Sequence, residues 1–403
     1  MTFGPEGLTF GKGHTGHTGG IGNTTYTGST GCTGGTGQTK NNYTSMKVLL
    51  FGSKGWIGGQ FADVLRSQEI EFVAATSRAD DKEAVSKELD DVKPTHVASF
   101  IGRTHGKIGD KEYTTIDYLE QEGKLVENVR DNLYSPILLS MLCKQRNIHY
   151  TYLGTGCIFK FDETHPFGEE NNGFTEEEKP NFFGSSYSIV KGYTDMLMHM
   201  FEGHVLNLRI RMPITEKENK RNFITKIATY EKVCSIPNSM TVLPELLPMA
   251  LELMRRKHTG TLNFTNPGLV SHNEILEMYK EIVDPEFTWQ NFTAEQQREI
   301  LAADRSNNYL ETTSLEKLFP DIDNIKVAVR KCLEGWKKAS VDEPPVPPDS
   351  RDGAGGLVEK LHDAIAAAPS DKSLGDLVEH ETKISPPRTP SPPKEEDMKI
   401  KKD

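Results

Sequence analysis

One short segment near residue 50 restricts the fold more than any other feature of this chain. The apolar run KVLLFG leads directly into SKGWIG and then into a helical pattern, WIGGQFADVLRSQ. A buried strand, a glycine-rich turn and a helix in this order form a dinucleotide-binding turn, in which glycines let the backbone approach a pyrophosphate. The amides and positive dipole end of the helix then face the phosphates. We therefore predict cofactor contacts from Gly52, Ser53, Gly55, Trp56, Ile57 and Gly58.

Strand and helix patterns alternate after this turn. Apolar runs typical of strands are EFVAAT, THVASFIG, IHYTYLG and HVLNLRIR, and helical patterns cover residues 125–145 and 186–201. Such alternation predicts an α/β fold with a doubly wound parallel Rossmann sheet. The alternation loosens beyond Met212, which predicts a cofactor-binding core over residues 46–211 and a smaller mixed α/β substrate-binding region over 212–338.

The two ends of the chain differ in composition from this core. Residues 1–45 repeat Thr-Gly, and residues 339–403 are rich in proline and charge. Both have few large apolar side chains to offset the entropy of ordering, so we expect disordered tails. Ser385, Thr389 and Ser391 each precede proline. They are either proline-directed phosphorylation sites or part of a solvated tail without a regulatory role.

Charge and cysteine content exclude several classes of protein. The net charge of −11 argues against a nucleic-acid binder, whose contact surface would be basic. The five cysteines are scattered without a CxxC pair, so neither a metal site nor a disulfide framework is expected. No apolar run approaches the roughly 20 residues of a membrane span, and no signal peptide is evident. We expect a cytoplasmic protein; the oligomeric state stays open, a homodimer included.

The end of the second strand bears on the choice of cofactor. It reads Thr76-Ser77-Arg78, where NAD-binding proteins usually carry an acid for the ribose hydroxyls. An arginine suits a 2′-phosphate instead, which favours NADPH and leaves NADH as the second choice. The alternative is that Arg78 simply faces solvent.

A Y-x-x-x-K pair supplies candidate catalytic groups. Tyr187 and Lys191 lie four residues apart, on one face of a helix. A cation beside a phenol lowers its pKa from about 10, so Tyr187 would give a proton to a carbonyl oxygen as hydride arrives at its carbon. Lys191 would also hold the nicotinamide ribose. Thr155 ends a predicted strand and would share the carbonyl oxygen, while Cys157 points into the same crevice or merely packs there.

Longer stretches carry a family resemblance. They span nearly all of residues 47–337 and read GSKGWIGG, KPTHV, TGCIF, NFFGSSYSIVK, LRIRMPI, RNFITKI, YEKV, IPNSMTVLPELLP, FTNPG, SHNEILEMYK, FTWQNFT and RSNN. The core resembles the extended short-chain reductases that make nucleotide-activated 6-deoxyhexoses, and above all the plant-type bifunctional UDP-4-keto-6-deoxyglucose 3,5-epimerase/4-reductases. The tails fall outside this resemblance, and the segment SFIGRTHGKIGDKEYTTIDYLEQ departs from the family pattern.

The resemblance implies a two-stage reaction in one pocket. UDP- or dTDP-4-keto-6-deoxyglucose, supplied by a separate upstream 4,6-dehydratase, would be epimerised at carbons 3 and 5 and reduced at carbon 4 with NADPH. The family pattern implies that Cys157 and Lys226 are the epimerising acid/base pair. Lys226 is otherwise a phosphate-binding or surface cation. The pattern also implies diphosphate contacts from Arg305 and Asn307, and a structural role for Asn132 beside the site. Arg211 and Asn222 either line the sugar pocket or are structural hydrogen bonders.

Two other functions remain open from the sequence. One is a reductase that relies on a separate epimerase, as in the dTDP-4-dehydrorhamnose reductase type; Cys157 and Lys226 discriminate against it. The other is a non-catalytic NADP-binding subunit, similar to the regulatory subunit of methionine adenosyltransferase. The complete set of Thr155, Tyr187 and Lys191 argues against that alternative.

Overall fold

A six-stranded parallel sheet forms the centre of the protein. The structure, a computed structural model, describes residues 46–342, with side chains described up to residue 338, so the predictions for both tails lie outside the described residues. The strands are β1 Lys47–Phe51, β2 Glu71–Ala74, β3 His96–Ser99, β4 Gly106–Ile108, β5 Lys111–Tyr113, β6 His149–Thr155, β7 Val205–Ile210, β8 Pro213–Ile214, β9 Lys232–Val233, β10 Thr241–Val242, β11 Gly260–Asn263 and β12 Gln290–Asn291.

Helices connect these strands. They are α1 Trp56–Ser67, α2 Lys82–Val92, α3 Leu125–Val129, α4 Ser135–Gln145, α5 Ser186–Met198, α6 Phe223–Thr229, α7 Leu243–Arg255, α8 His272–Ile282, α9 Ala294–Ile300, α10 Thr313–Leu318 and α11 Ile325–Asp342. Two 3₁₀ turns cover Ile116–Glu120 and His199–Phe201, and a π-helical turn, Arg130–Tyr134, joins α3 to α4. Within the described range, no helix is both long and apolar enough to cross a bilayer.

The strand order confirms the predicted doubly wound sheet. The order is β11-β7-β6-β3-β1-β2, and every neighbouring pair is parallel. The order changes direction between β1 and β3, and open α/β sheets bind ligands outside the carboxyl ends of the strands at such a switch point. The glycine turn follows β1, so it lies at this point.

Helices cover both faces of the sheet. On one face, side chains of α1 and α7 such as Phe61, Leu65 and Leu246 pack on Val48 and Leu50 of β1. On the other face, side chains of α2, α4 and α5 pack on the alternate side chains of β1, β3 and β6. Burial on both faces explains why these strands read as continuous apolar runs.

The chain beyond Met212 contributes to two apolar cores. After β8 and α6, the chain returns to the main body, where α7 packs against α1 and β11 pairs with β7 as the edge strand of the large sheet. The remaining elements, including α6, α8 and α11, enclose a second apolar core. The sequence could not show this return because β11 is only four residues long.

Candidate active site

The turn after β1 has the backbone that a dinucleotide needs. Gly52 has a φ of +80°, and a Cβ at this residue would lie 3.0 Å from the carbonyl carbon of Phe100. A Cβ on Gly58 would lie 2.1 Å from the carbonyl oxygen of Gly52, so α1 approaches the end of β1 as closely as glycine permits. Gly55 closes the turn by donating to that same oxygen at 2.8 Å. The first-turn amides of α1 have no partner within their own helix, so this turn fits a pyrophosphate.

The structure brings Thr155 and Tyr187 together. Thr155 is the last residue of β6, and Tyr187 lies in the first turn of α5, where Ser185 caps the helix by accepting from the Ser188 amide at 3.0 Å. The Thr155 hydroxyl lies close enough to the Tyr187 phenol to lower its pKa, and both side chains are buried. Two hydroxyls from different elements thus converge at the carboxyl edge of the sheet, as predicted.

The pKa of Tyr187 differs from the prediction. Burial raises it above its ordinary value, the nearby Cys157 raises it further, and the hydrogen bond from Thr155 only partly opposes this. The ammonium of Lys191 donates to the hydroxyl of Tyr152 and lies 4.6 Å from the centre of that ring. Tyr187 is therefore a neutral phenol near pH 7, able to donate a proton.

Lys191 is itself strongly perturbed. It is buried, and burial lowers its pKa from 10.5 to about 8, while Asp195 and Cys157 oppose the shift. Asp195, one turn later on α5, is held by Arg209 through bonds of 2.9 and 2.7 Å. Sequence analysis missed Tyr152, although its place on β6, three residues before Thr155, put it within reach of α5.

Cys157 lies beside the reacting hydroxyls. Its amide donates to the Thr155 hydroxyl at 3.0 Å, and its carbonyl accepts from the Ser188 hydroxyl at 2.7 Å. Its half-buried side chain packs in a cluster with Tyr187, Tyr113 and Ile116. The thiol therefore stands next to Tyr187 on a backbone tied to both β6 and α5.

The segment that departs from the family pattern forms a wall of this site. It contains the β4–β5 hairpin, and residues of the segment contact basic side chains of the later chain. Lys226 donates to the carbonyl of Thr114 at 3.3 Å, and Lys220 pairs with Glu112 at 2.5 Å. Arg221 donates to Nε2 of His105 at 2.6 Å.

The charges around this wall perturb one another. Burial, with Arg221 and other nearby cations, lowers the pKa of His105 to about 4, so the imidazole is neutral at pH 7. Burial, with Arg221 and Arg305, lowers the pKa of Lys226 as well. Sequence analysis missed His105 and Arg221; the position of His105 shortly after β3, at the ligand-binding edge, was the available signal.

Two residues that were predicted to contact the substrate, Arg211 and Asn222, bond to other parts of the protein in this structure. Arg211 is buried, and its guanidinium donates to five acceptors of the protein, on Gly156, Asn238, Ser239 and, twice, Ser306. Since a guanidinium has five N–H donors, none remains for a sugar. Asn222 is also buried, accepts from the Ile224 amide at 3.2 Å as the N-cap of α6, and donates to two carbonyls. These bonds favour the structural alternative for both residues, and a contact with the sugar stays a prediction.

Arg305 and Asn307 lie on the loop before α10. Arg305 pairs with Asp117 at 2.5 Å and donates to the Ala303 carbonyl at 2.8 Å. Although burial alone would raise the pKa of Asp117, this bond and others lower it, so the carboxylate is charged. Asn307 accepts from Asn238 at 2.9 Å. Arg305 thus already has an anionic partner, which a diphosphate could replace.

The π-helical turn places Asn132 behind the site. Its side chain accepts from the Arg103 amide and donates to the Arg103 carbonyl, both at 2.9 Å. Its own carbonyl accepts from the Thr194 hydroxyl of α5 at 2.6 Å. Asn132 therefore links the segment after β3 to the helix that carries Tyr187 and Lys191, in keeping with the supporting role that the resemblance implied.

Arg78 follows β2 at the edge of the sheet. Its side chain is 66% exposed and pairs with Asp80 at 2.9 Å. The guanidinium is therefore accessible to an anionic group, although an acidic residue already accompanies it.

Comparison with known proteins identifies close relatives. Protein L780 of Acanthamoeba polyphaga mimivirus is 56% identical over 292 residues, which are 72% of this chain and 99% of L780. A crystal structure described as the L780 UDP-rhamnose synthase of the same virus has a TM-score of 0.69 at 55% identity, again over 72% and 99% of the two chains. The bifunctional dTDP-4-dehydrorhamnose 3,5-epimerase/dTDP-4-dehydrorhamnose reductase of Arabidopsis thaliana is 43% identical, over 74% of this chain and 96% of that protein.

Two further comparisons give context. The trifunctional Arabidopsis enzyme RHM2, whose name adds a UDP-glucose 4,6-dehydratase activity, is 43% identical over 71% of this chain, which corresponds to only 42% of RHM2. A dTDP-4-dehydrorhamnose reductase of Bacillus anthracis in complex with NADP has a TM-score of 0.59 at 15% identity, over 71% of this chain and 98% of that one. At that identity the likeness concerns the fold. No protein-family model matches the chain.

Proposed function

The chain belongs to the family of bifunctional nucleotide-rhamnose synthases, which combine 3,5-epimerase and 4-reductase activities, and from that premise we propose that it converts UDP- or dTDP-4-keto-6-deoxyglucose to the activated rhamnose. Carbons 3 and 5 are inverted, and the ketone at carbon 4 is reduced. The observation that carries the proposal is the meeting of the Thr155 and Tyr187 hydroxyls beside the thiol of Cys157, at the ligand-binding edge of the sheet.

The cofactor of this proposal is NADPH. Gly52, Gly55 and Gly58 form a turn that phosphates can approach closely. Arg78 offers an exposed cation after β2 that can bind the 2′-phosphate. The remaining residues assigned to the cofactor are Ser53, Trp56, Ile57, Tyr187 and Lys191. When bound, the cofactor supplies the hydride that carbon 4 receives.

Tyr187 serves the reduction as a proton donor. Its phenol is neutral and held by Thr155, so both hydroxyls can bond the ketone oxygen, and Tyr187 can protonate it. Lys191, which lies one helical turn after Tyr187 and bonds to Tyr152, would hold the nicotinamide ribose and adds a positive charge to the surroundings of the phenol that becomes anionic. Burial makes this charge effective because water does not screen it.

Cys157 and Lys226 serve the epimerisation. The ketone acidifies the protons on carbons 3 and 5, and the enolate that forms needs donors at its oxygen, a role that Thr155 and Tyr187 share. A lysine whose pKa is lowered exchanges its proton more readily than an ordinary lysine, and the thiol lies against Tyr187. Arg305 and Asn307 are assigned to the diphosphate.

The reductase-only alternative lacks support of this kind. The Arabidopsis relative that matches over 96% of its length has both activities in its name, and Cys157 and Lys226, the acid/base pair that the resemblance implies, are both present here. A purely regulatory subunit would not need Thr155, Tyr187, Lys191 and Cys157 gathered in one crevice.

The substrate must come from a 4,6-dehydratase, which in RHM2 belongs to the same polypeptide. For this chain we propose a separate dehydratase. A cytoplasmic location is part of the proposal because Cys157 must stay a reduced thiol.

The test is incubation with UDP-4-keto-6-deoxyglucose and NADPH in deuterated water. The proposal predicts NADPH oxidation and UDP-rhamnose that carries deuterium at carbons 3 and 5. NADPH oxidation that gives a product without deuterium at these carbons would indicate a reductase alone. Absence of turnover with both the UDP and dTDP ketosugars would reject the proposed enzyme.

A further inference from the structure

A carboxylate from α2 lies at the end of β2, where the sequence shows none. One oxygen of Glu88 accepts from the amide and hydroxyl of Thr76, at 2.7 and 2.8 Å. Its other oxygen accepts from the amide and hydroxyl of Ser77, at 3.0 and 2.5 Å. Four donors of the two residues that precede Arg78 thus converge on one side chain.

This place in the fold is where cofactor preference is decided. In dinucleotide-binding folds, an acid at the end of the second strand binds the ribose hydroxyls of NAD, whereas an arginine there accommodates the 2′-phosphate of NADP. The sequence offers only Arg78 at that point. The structure adds Glu88, eleven residues after Ser77, so both determinants are present.

The charged groups around the turn do not neutralise the carboxylate of Glu88. The exposed Arg78 already pairs with Asp80 at 2.9 Å, and Asp81 caps α2 by accepting from the Ala84 amide. Arg130 lies 3.9 Å from Asp80 but is bonded to Asp131 at 2.7 Å. The four hydrogen bonds outweigh burial and lower the pKa of Glu88, so its carboxylate is charged at pH 7.

We propose that Glu88 is a specificity-determining residue that limits the preference for NADPH over NADH. Its carboxylate occupies the donors that a 2′-phosphate would use beside Arg78, and its charge repels the phosphate. A 2′-hydroxyl meets neither obstacle. The proposal rests on the nicotinamide cofactor of the proposed function.

The experiment measures binding without the sugar substrate. Calorimetry gives the Kd of adenosine 2′,5′-bisphosphate and of AMP, and then of NADP⁺ and NAD⁺, for the wild-type chain and for Glu88→Gln. The amide keeps one acceptor but removes the charge and frees a Ser77 donor. In Glu88→Gln, we expect the affinity for each ligand with a 2′-phosphate to rise by on the order of tenfold relative to its counterpart without one. The AMP and NAD⁺ affinities should be nearly unchanged.

Glu83→Gln is the matched control. Glu83 lies exposed in the first turn of the same helix, so its neutralisation changes the net charge equally but leaves Thr76 and Ser77 alone. We expect a shift of less than about twofold, because an exposed charge at a distance is screened. An equal shift in both variants would reject a specific role for Glu88.

Two other outcomes overturn the proposal. An unchanged ratio in Glu88→Gln would show that the carboxylate does not oppose the phosphate, and an equal loss of both affinities would show that Glu88 only braces the turn. If Glu88→Gln unfolds, Glu88→Asp applies the same test, since a shorter side chain withdraws the carboxylate and should shift the ratio in the same direction by less. If neither dinucleotide binds the wild-type chain, the proposed function fails as a whole.

Discussion

Replacing Arg211 by methionine tests whether this residue stabilises the fold or contacts the substrate. Arg211 ties Gly156, next to Cys157, to Ser306 on the loop that carries Arg305. In Arg211→Met, Gly156 and Asn238 keep other donors, from Asn308. The carbonyls of Ser239 and Ser306 lose the donors that Arg211 supplies.

The expected loss of stability follows from these two acceptors. A buried acceptor without a partner costs about 1–3 kcal/mol, so two give about 2–6 kcal/mol. Removing a buried guanidinium with its own desolvation cost returns part of this, which leaves about 3 kcal/mol. For a domain of this size, we expect the melting temperature to fall by at least about 5 °C.

The assay combines thermal unfolding with kinetics, and Arg221→Met is the matched control. Arg221 is only partly buried, and its guanidinium faces His105 and the charges near Lys226. The same substitution there should change the melting temperature by less than about 2 °C but lower turnover. An Arg211→Met variant with an unchanged melting temperature and a raised KM for the sugar nucleotide would refute the structural role of Arg211.

Further predictions concern the reaction and the cofactor turn. Cys157→Ala should abolish proton exchange at carbons 3 and 5, measured by NMR in deuterated water, while reduction of a pre-epimerised ketosugar persists; unaltered exchange would contradict its role. Lys191 is fully protonated well below its pKa of about 8 and loses its charge above it, so the reduction rate should fall as pH rises through about 8. Lys191→Arg should remove this decline, because guanidinium stays protonated; a decline unchanged in Lys191→Arg would exclude Lys191 as its source. Gly58→Ala should abolish NADPH binding in a fluorescence titration, because its Cβ would meet the Gly52 oxygen at 2.1 Å. Gly59→Ala, whose Cβ would have an ordinary contact of 3.6 Å, should bind normally, and equal binding by both variants would refute the close approach.

The features that the sequence predicted are those that depend on neighbours in the chain. The glycine turn, the strand–helix alternation and the Tyr187–Lys191 spacing are local. The structure confirms the parallel sheet, and it places Tyr187 beside Thr155. The two hydroxyls come from different elements, yet the rule that ligand-binding residues gather at the carboxyl ends of strands was sufficient to join them.

The features that the sequence did not predict depend on contacts between distant residues. Nothing in the local pattern distinguishes a buried Arg211, bonded to Ser306 95 positions away, from an arginine in a sugar pocket. The carboxylate of Glu88 reaches the end of β2 from the middle of a helix. The lowered pKa that the sequence predicted for Tyr187 is wrong for a similar reason, since burial and Cys157 both raise it and Lys191 bonds to Tyr152 instead.

The most direct test of the account is single-turnover oxidation of NADPH by Tyr187→Phe with a pre-epimerised UDP-4-keto sugar. Phenylalanine keeps the ring that packs against Cys157 and removes only the proton donor. The account predicts that NADPH still binds with wild-type affinity, while the hydride-transfer rate falls by about 10²–10⁴-fold. Oxidation at the wild-type rate would contradict the claim that the Tyr187 phenol protonates the ketone.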